Sequence, residues 1–296
     1  MLEVAYAGSM GHSLDERLNI NQATLPNPAN PTPIAQRRPF PAWGDILSFN
    51  TPDKSNFHSL QTRLERRLSK GASFLASYTW AHAIDTASRG SGGTQHQDIR
   101  NRGADRGNSD FDVRHRFALS YTYELPFGRG KQFGNLGSKA ADKVVGGWSS
   151  NGITTFMTGN RRSAMVTGDR ANTGGFAAQR ANLVPSASNH GNLDRSQRTI
   201  DRYFDRSAFA VTPFGTFGNS GRNIVETPGL NNWDLSILKN TPIGERVTAQ
   251  FRAELFNVWN HSQFSAPTLV VESPFFGQVR SARDPRRIQL AIRLLW

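Results

Sequence analysis

Residues 287–296 read RIQLAIRLLW, and their alternation decides the fold class. Ile288, Leu290, Ile292, Leu294 and Trp296 fall on one side of an extended chain, while Arg287, Gln289, Ala291, Arg293 and Leu295 fall on the other. Side chains two apart share a face of a strand, so the run predicts a strand with one apolar and one largely polar face. The same period governs 72–83 (Phe74, Ala76, Tyr78, Trp80), 113–124 (Phe117, Leu119, Tyr121, Tyr123) and 246–259 (Val247, Ala249, Phe251, Ala253, Leu255). Segments 2–9, 56–67, 147–158 and 231–240 follow it less cleanly. The only helix signal is a short amphipathic stretch, Ser138–Val145.

The connections between these segments alternate in length. Ser69-Lys70-Gly71 and Pro242-Ile243-Gly244 read as tight turns, and 125–146 as a medium one. The stretches at about 10–55, 84–112, 159–230 and 260–285 are long, rich in Gly, Asn, Asp and Arg, and without period. Soluble β-sandwiches do not sort their loops in this way, whereas outer-membrane barrels carry short periplasmic turns and long extracellular loops. Aromatic residues at strand ends (Trp80, Tyr123, Trp148, Trp233, Trp259, Trp296) suit the girdles at membrane interfaces.

Composition sets the outer limits. The 296 residues contain no Cys, which excludes disulfide scaffolds, thiolate metal sites and cysteine nucleophiles. No apolar run approaches the roughly 18 residues of a spanning helix. The mean hydropathy of −0.52 excludes a helical membrane protein but not a barrel, in which half of every strand faces water. The net charge of +12 suits contact with anionic lipid or nucleic acid. Because Arg residues are scattered and no dense basic patch forms, no nucleic-acid partner is expected.

Five stretches in order, Leu60–Asp85 (LQTRLERRLSKGASFLASYTWAHAID), Asp105–Phe117 (DRGNSDFDVRHRF), Trp233–Asn240 (WDLSILKN), Phe251–Asn260 (FRAELFNVWN) and Asp284–Trp296 (DPRRIQLAIRLLW), resemble TonB-dependent outer-membrane transporters of the Oar-like type. The resemblance implies an all-β fold: an antiparallel transmembrane β-barrel portion of about eight spanning strands, the C-terminal third of a barrel of about 22. Residues 1–296 are then expected to be wall alone, with plug domain and signal peptide absent, and the long loops extracellular. The implied role is energised uptake or passage of an unidentified ligand in a bacterial outer membrane, with TonB contacted only through the plug. Lipopolysaccharide and the barrel-assembly machinery are the other implied partners. Ile288, Leu290, Ile292, Leu294 and the terminal Trp296 are similar to the assembly signal of barrel proteins. Two other readings compete: a structural or adhesive outer-membrane barrel without transport, and a soluble basic β-protein that binds polyanions.

On the polar strand faces, Arg63, Glu65, Arg114, Arg116, Arg252, Glu254 and Arg293 are expected to face the lumen, largely paired with opposite charges. Arg161, Arg162, Arg180, Tyr203, Phe204 and Phe209 make 159–230 the expected ligand-facing surface. In 84–112, Asp98, Asp105, Asp110 and Asp112 alternate with Arg89, Arg100, Arg102 and Arg106, which predicts ion pairs bracing the loop rather than a calcium site. Asp110-Phe111-Asp112 reads as a structural corner. The seven His residues are dispersed without metal-site spacing, Gly128-Arg129-Gly130 is a turn, and no Gly-x-Ser-x-Gly elbow occurs. No enzyme activity, cofactor or metal is expected.

Overall fold

The computed structural model describes residues 1–69, 71–88, 96–128, 130–133, 138–175, 179–244 and 246–296. Lys70, Arg89 and Arg129, named above, lie outside them.

Eight long strands form one antiparallel meander: β1 (Leu2–Asn19), β2 (Leu47–Ser69), β3 (Ala72–Asp85), β4 (His115–Glu124), β5 (Trp148–Met157), β6 (Leu230–Ile243), β7 (Val247–Phe256) and β8 (Arg287–Leu295). Each pairs with its neighbours in sequence, and Gly107–Asn108 adds a two-residue strand beside the upper end of β3. β1 and β8 are the two edges, so the sheet is open rather than closed into a barrel.

Register preserves the period-2 reading across the whole sheet. Leu60 pairs with Trp80, Tyr78 with Phe117, Phe117 with Phe156 and Leu235 with Leu255. A one-residue slip would move every such side chain to the opposite face, so one apolar surface running over all eight strands requires this register. β5 obscured the pattern in sequence because its apolar-side positions include Ser150, Gly152 and Thr154. At Gly152 the neighbouring Tyr121 ring occupies the space, lying 2.3 Å from where a Cβ would sit. The apolar face has no covering layer: Leu2, Val4, Tyr6, Leu290 and Ile292 are all exposed. A continuous uncovered apolar sheet face of this extent marks a surface made for a non-aqueous neighbour.

The connections sort by length as expected. Those at one end are short: β2–β3 and β6–β7 turn tightly, with Gly71 and Gly244 at positive φ, and β4–β5 carries the one α-helix among the described residues, α1 (Lys139–Val145). Ser138 caps α1 by accepting from Ala141 N, and Lys239 Nζ donates to Lys143 O at 2.7 Å near its C-terminal end. That helix is far too short and polar to cross a membrane. The four long connections all leave from the opposite end.

One boundary differs from the sequence reading. The ladder between β1 and β2 continues far into the 10–55 stretch expected as loop, to Asn19 opposite Leu47. At about 3.4 Å per residue β2 is about 75 Å long, while the apolar band of an outer-membrane barrel is about 25 Å tall. The upper ladder therefore stands clear of that band, where neither face has reason to be apolar, and alternation lapses. Two register shifts, Gly11/Leu14 and Leu14/Glu16, mark the change, with Ser13 at positive φ within the first.

Candidate functional site

The buried core of this protein lies in the long connections, not beneath the sheet. Ala164, Val166, Ala181, Phe204, Phe209, Val225 and Phe276 form a single apolar cluster. Its three phenylalanines meet edge to face at centroid distances of 5.1–6.1 Å, the arrangement aromatic rings favour. Around it the connections are tied by amides. Gln22 Nε2 donates to Gln97 O at 2.8 Å, Gln97 Nε2 donates to Gly218 O at 3.0 Å, and Ala23 N donates to Thr173 O at 3.0 Å. These bonds join residues 75 to 150 positions apart into one cap on the open end of the sheet.

Charge is buried in that cap. Arg222 donates to the Asp85 carboxylate, to Asp85 O at 2.7 Å, to Asp105 O at 2.7 Å and to Ser88 Oγ at 3.0 Å. Arg180 pairs with the Asp105 carboxylate and donates to Ser220 O at 2.8 Å. The expected bracing ion pairs of 84–112 therefore exist, but the arginines of Asp85 and Asp105 come from 159–230 rather than from nearby positions. Asp112 Oδ1 accepts from Ala83 N at 2.6 Å and Asp112 Oδ2 from Arg114 at 2.9 Å, which makes the Asp110–Asp112 corner.

Beside these pairs, His96 is fully enclosed. Its Nδ1 lies 2.9 Å from Asp105 Oδ2, and its Nε2 lies 2.9 Å from Glu16 Oε2 and 3.2 Å from Asp53 Oδ1. Burial alone would pull the imidazole down, but hydrogen bonds to Asp105, Asp53 and Glu16 outweigh it and push its pKa up to about 11. Sequence reasoning missed this cluster, since its members sit at positions 16, 53, 96 and 105 with no short-range spacing to reveal them.

A cleft of about 990 Å³ opens where the cap overhangs the apolar sheet face. Tyr78, Phe117 and Phe156 of that face line its base, and Arg161, Arg195 and Arg198 line its upper wall. Glu226 accepts from Arg161 and Arg198 at 2.7 Å each. Desolvation raises the Glu226 pKa, but the Arg198 hydrogen bond and the neighbouring arginines lower it further, leaving it below its usual value. Tyr203 completes the wall beneath Arg198.

The residues singled out from sequence are distributed as follows. Arg63 and Glu65 share the polar face and pair at 2.8 Å, with Glu3 of β1 3.9 Å from Arg63. Arg252 and Glu254 pair at 3.0 Å on the same face. Arg116 and Arg293 also alternate onto it and are exposed, while Arg114 is drawn to the Asp112 corner. Ile288, Leu290, Ile292 and Leu294 stand exposed on the apolar face of β8, and Trp296 follows it. Within 159–230 the structure divides the expected ligand-facing set. Arg161 and Tyr203 line the cleft, but Arg180, Phe204 and Phe209 are buried and hold the cap together. A long aperiodic loop reads as surface in sequence, but this one is large enough to enclose a core of its own.

An uncovered apolar face over eight antiparallel strands, short turns at one end and a polar cap at the other define the wall of an outer-membrane β-barrel. Residues 1–289 match the outer membrane beta barrel domain family, and the chain belongs to that family. Its place is accordingly the bacterial outer membrane. Among solved structures, it is similar to the outer membrane transporter YddB from Escherichia coli, at 10% identity and a TM-score of 0.46. That likeness covers 99% of this chain and 30% of the transporter, so the chain spans under a third of its length. No curated protein matches.

Proposed function

We propose that this chain is wall and outer rim of a TonB-dependent transporter of the Oar-like type, which takes up a large ligand across the outer membrane. One observation carries the reading: all long connections leave the same end of the sheet and fuse into a single cap, as a receptor surface requires. The five ordered sequence stretches support the finer family assignment. In this reading the paired Arg63 and Glu65, the paired Arg252 and Glu254, and Arg114, Arg116 and Arg293 face a hydrated lumen. TonB engages only through a plug, and the chain performs no chemistry on its ligand. Ile288, Leu290, Ile292, Leu294 and Trp296 are what the assembly machinery reads.

The rim cleft favours lipopolysaccharide as the neighbouring lipid. Its arginines stand directly above aromatic residues of the apolar face, the level at which phosphates adjoin acyl chains. The experiment for the central reading compares growth of a strain lacking this protein with one depleted of TonB, across media each limited by one nutrient. Loss of growth on a shared nutrient is the expected result. A strain lacking the protein that grows normally wherever TonB depletion fails would overturn it and favour a structural or adhesive barrel.

A further inference from the structure

We infer that Glu16, Asp53 and His96 form a divalent transition-metal site in the extracellular cap, with Zn²⁺ the ion their chemistry fits best. Glu16 Oε2, Asp53 Oδ1 and His96 Nε2 converge, lying 2.9 and 3.2 Å apart across the imidazole. Two atoms each about 2.1 Å from a shared ion and separated by 90–110° stand about 3.0–3.4 Å apart, so the three atoms, all within 4.8 Å of one another, need only a small adjustment of the closer pair to hold an ion.

Three further observations point to a ligand rather than to a closed ion-pair knot. First, Glu16 Oε1 and Asp53 Oδ2 are buried and accept no hydrogen bond. Glu16 Oε2 and Asp53 Oδ1 share the single Nε2–H of His96, which cannot point fully at both. Leaving buried carboxylate oxygens without a donor is costly, and a cation gripped by both oxygens of each carboxylate would satisfy them. Second, the outer ring nitrogen is already held: His96 Nδ1 faces Asp105 Oδ2 at 2.9 Å, and Asp105 is fixed in turn by Arg180. A carboxylate behind the histidine, itself anchored, is the usual support of a metal-bound imidazole. Third, the β1–β2 ladder is irregular just where it delivers Glu16. The two register shifts in β1 lie immediately before it, and bulges of this kind re-aim side chains.

Charge selects the ion. Once bound to an ion His96 is neutral, Asp105 is already paired with Arg180, and the two ligand carboxylates balance a divalent cation. An imidazole ligand disfavours Ca²⁺ and Mg²⁺, which take oxygen, and the absence of thiolate disfavours soft ions. Binding replaces the Nε2 proton by the ion, so one proton leaves for each ion bound.

The test uses the protein extracted from outer membranes, treated with chelator and titrated with ZnCl₂ and CaCl₂ by calorimetry in buffers of different ionisation enthalpy. One Zn²⁺ per chain with release of about one proton is expected, with Ca²⁺ bound at least about 100-fold more weakly. Glu16→Gln and Asp53→Asn should weaken Zn²⁺ binding about 100-fold or more, and Asp105→Asn about 10–100-fold. Absence of saturable Zn²⁺ binding, or equal binding by the folded variants, overturns the assignment. Should the variants fail to fold, anomalous diffraction at the zinc edge decides: a peak among the three side chains supports the site, and a peak only elsewhere refutes it.

Discussion

Replacing Phe204 by Ala should open the cap and leave the sheet intact. The ring is 1% exposed and meets Phe276 at 5.1 Å and Phe209 at 5.8 Å, both edge to face. Truncating a fully buried phenylalanine costs about 3–5 kcal/mol, through lost burial and the cavity left behind. Each such aromatic pair contributes about 0.5–1.5 kcal/mol beyond its area, which places Phe204 in the middle of that range. At about 1.4 kcal/mol per decade, 4 kcal/mol raises the population of the open cap by almost a thousandfold. No residue of the apolar cluster belongs to the eight long strands, so the loss should be local. Limited proteolysis of the folded protein in detergent reads this directly when opening and closing are fast relative to cleavage. Cleavage within 159–230 should accelerate by a few hundred-fold or more, while the shift in gel migration that marks a heat-unfolded barrel stays at the same temperature. Unchanged cleavage would show that the cluster does not hold the cap. A large fall in the unfolding temperature would show that cap and sheet are one cooperative unit.

Other substitutions probe the charges. Arg222→Met should destabilise the cap by about 3–5 kcal/mol, because Asp85 is left buried without its cation. Adding Asp85→Leu should recover most of that loss, and the same proteolysis assay checks both; no recovery would mean that Arg222 acts through its backbone contacts. Arg195→Ala should weaken retention of lipopolysaccharide by about fivefold, the effect of roughly 1 kcal/mol per basic residue at an anionic surface. Competition with labelled lipopolysaccharide measures it, and no change would remove the cleft from consideration. The pH profile has a defined sign in chelator-treated protein. His96 is raised from 6.5 to about 11, so its stabilisation is complete below 6.5 and disappears as pH rises toward 11. Glu226 is lowered from 4.5, so its contribution is present above 4.5 and is lost as pH falls further. Hydrogen-exchange protection in the cap, corrected for the intrinsic exchange rate at each pH, should therefore be greatest between 4.5 and 6.5, and a maximum above about pH 8 would contradict the His96 assignment.

How much of this was legible depended on the solvent each segment faces. β3, β4, β7 and β8 alternate because lipid and water lie on opposite sides, and that contrast is written into Phe74, Leu119, Phe251 and Leu290. β5 was faint since Tyr121 covers for Gly152. The upper ladder of β1 and β2 is faint in sequence, because above the apolar band both faces meet polar neighbours. In the cap the arginines were right in kind and wrong in partner: Asp105 is held by Arg180, not by Arg102 or Arg106. Periodicity reports on local geometry, and the cap is built almost wholly from contacts between residues far apart in sequence. That is why Glu16, Asp53 and His96 gave no signal.

The interlocking of the rim has a consequence for how such surfaces diversify. Outward loops ordinarily accept insertions and substitutions one at a time, since little else depends on them. Here Glu16 on β1, His96 in 84–112, and Arg180 and Arg222 in 159–230 are tied through shared buried partners. A change in one connection strands a charge in another. Relatives that present a different outer surface to phage, antibody or nutrient must therefore have exchanged these connections as a matched set, while the exposed Arg195 wall remains free to drift alone.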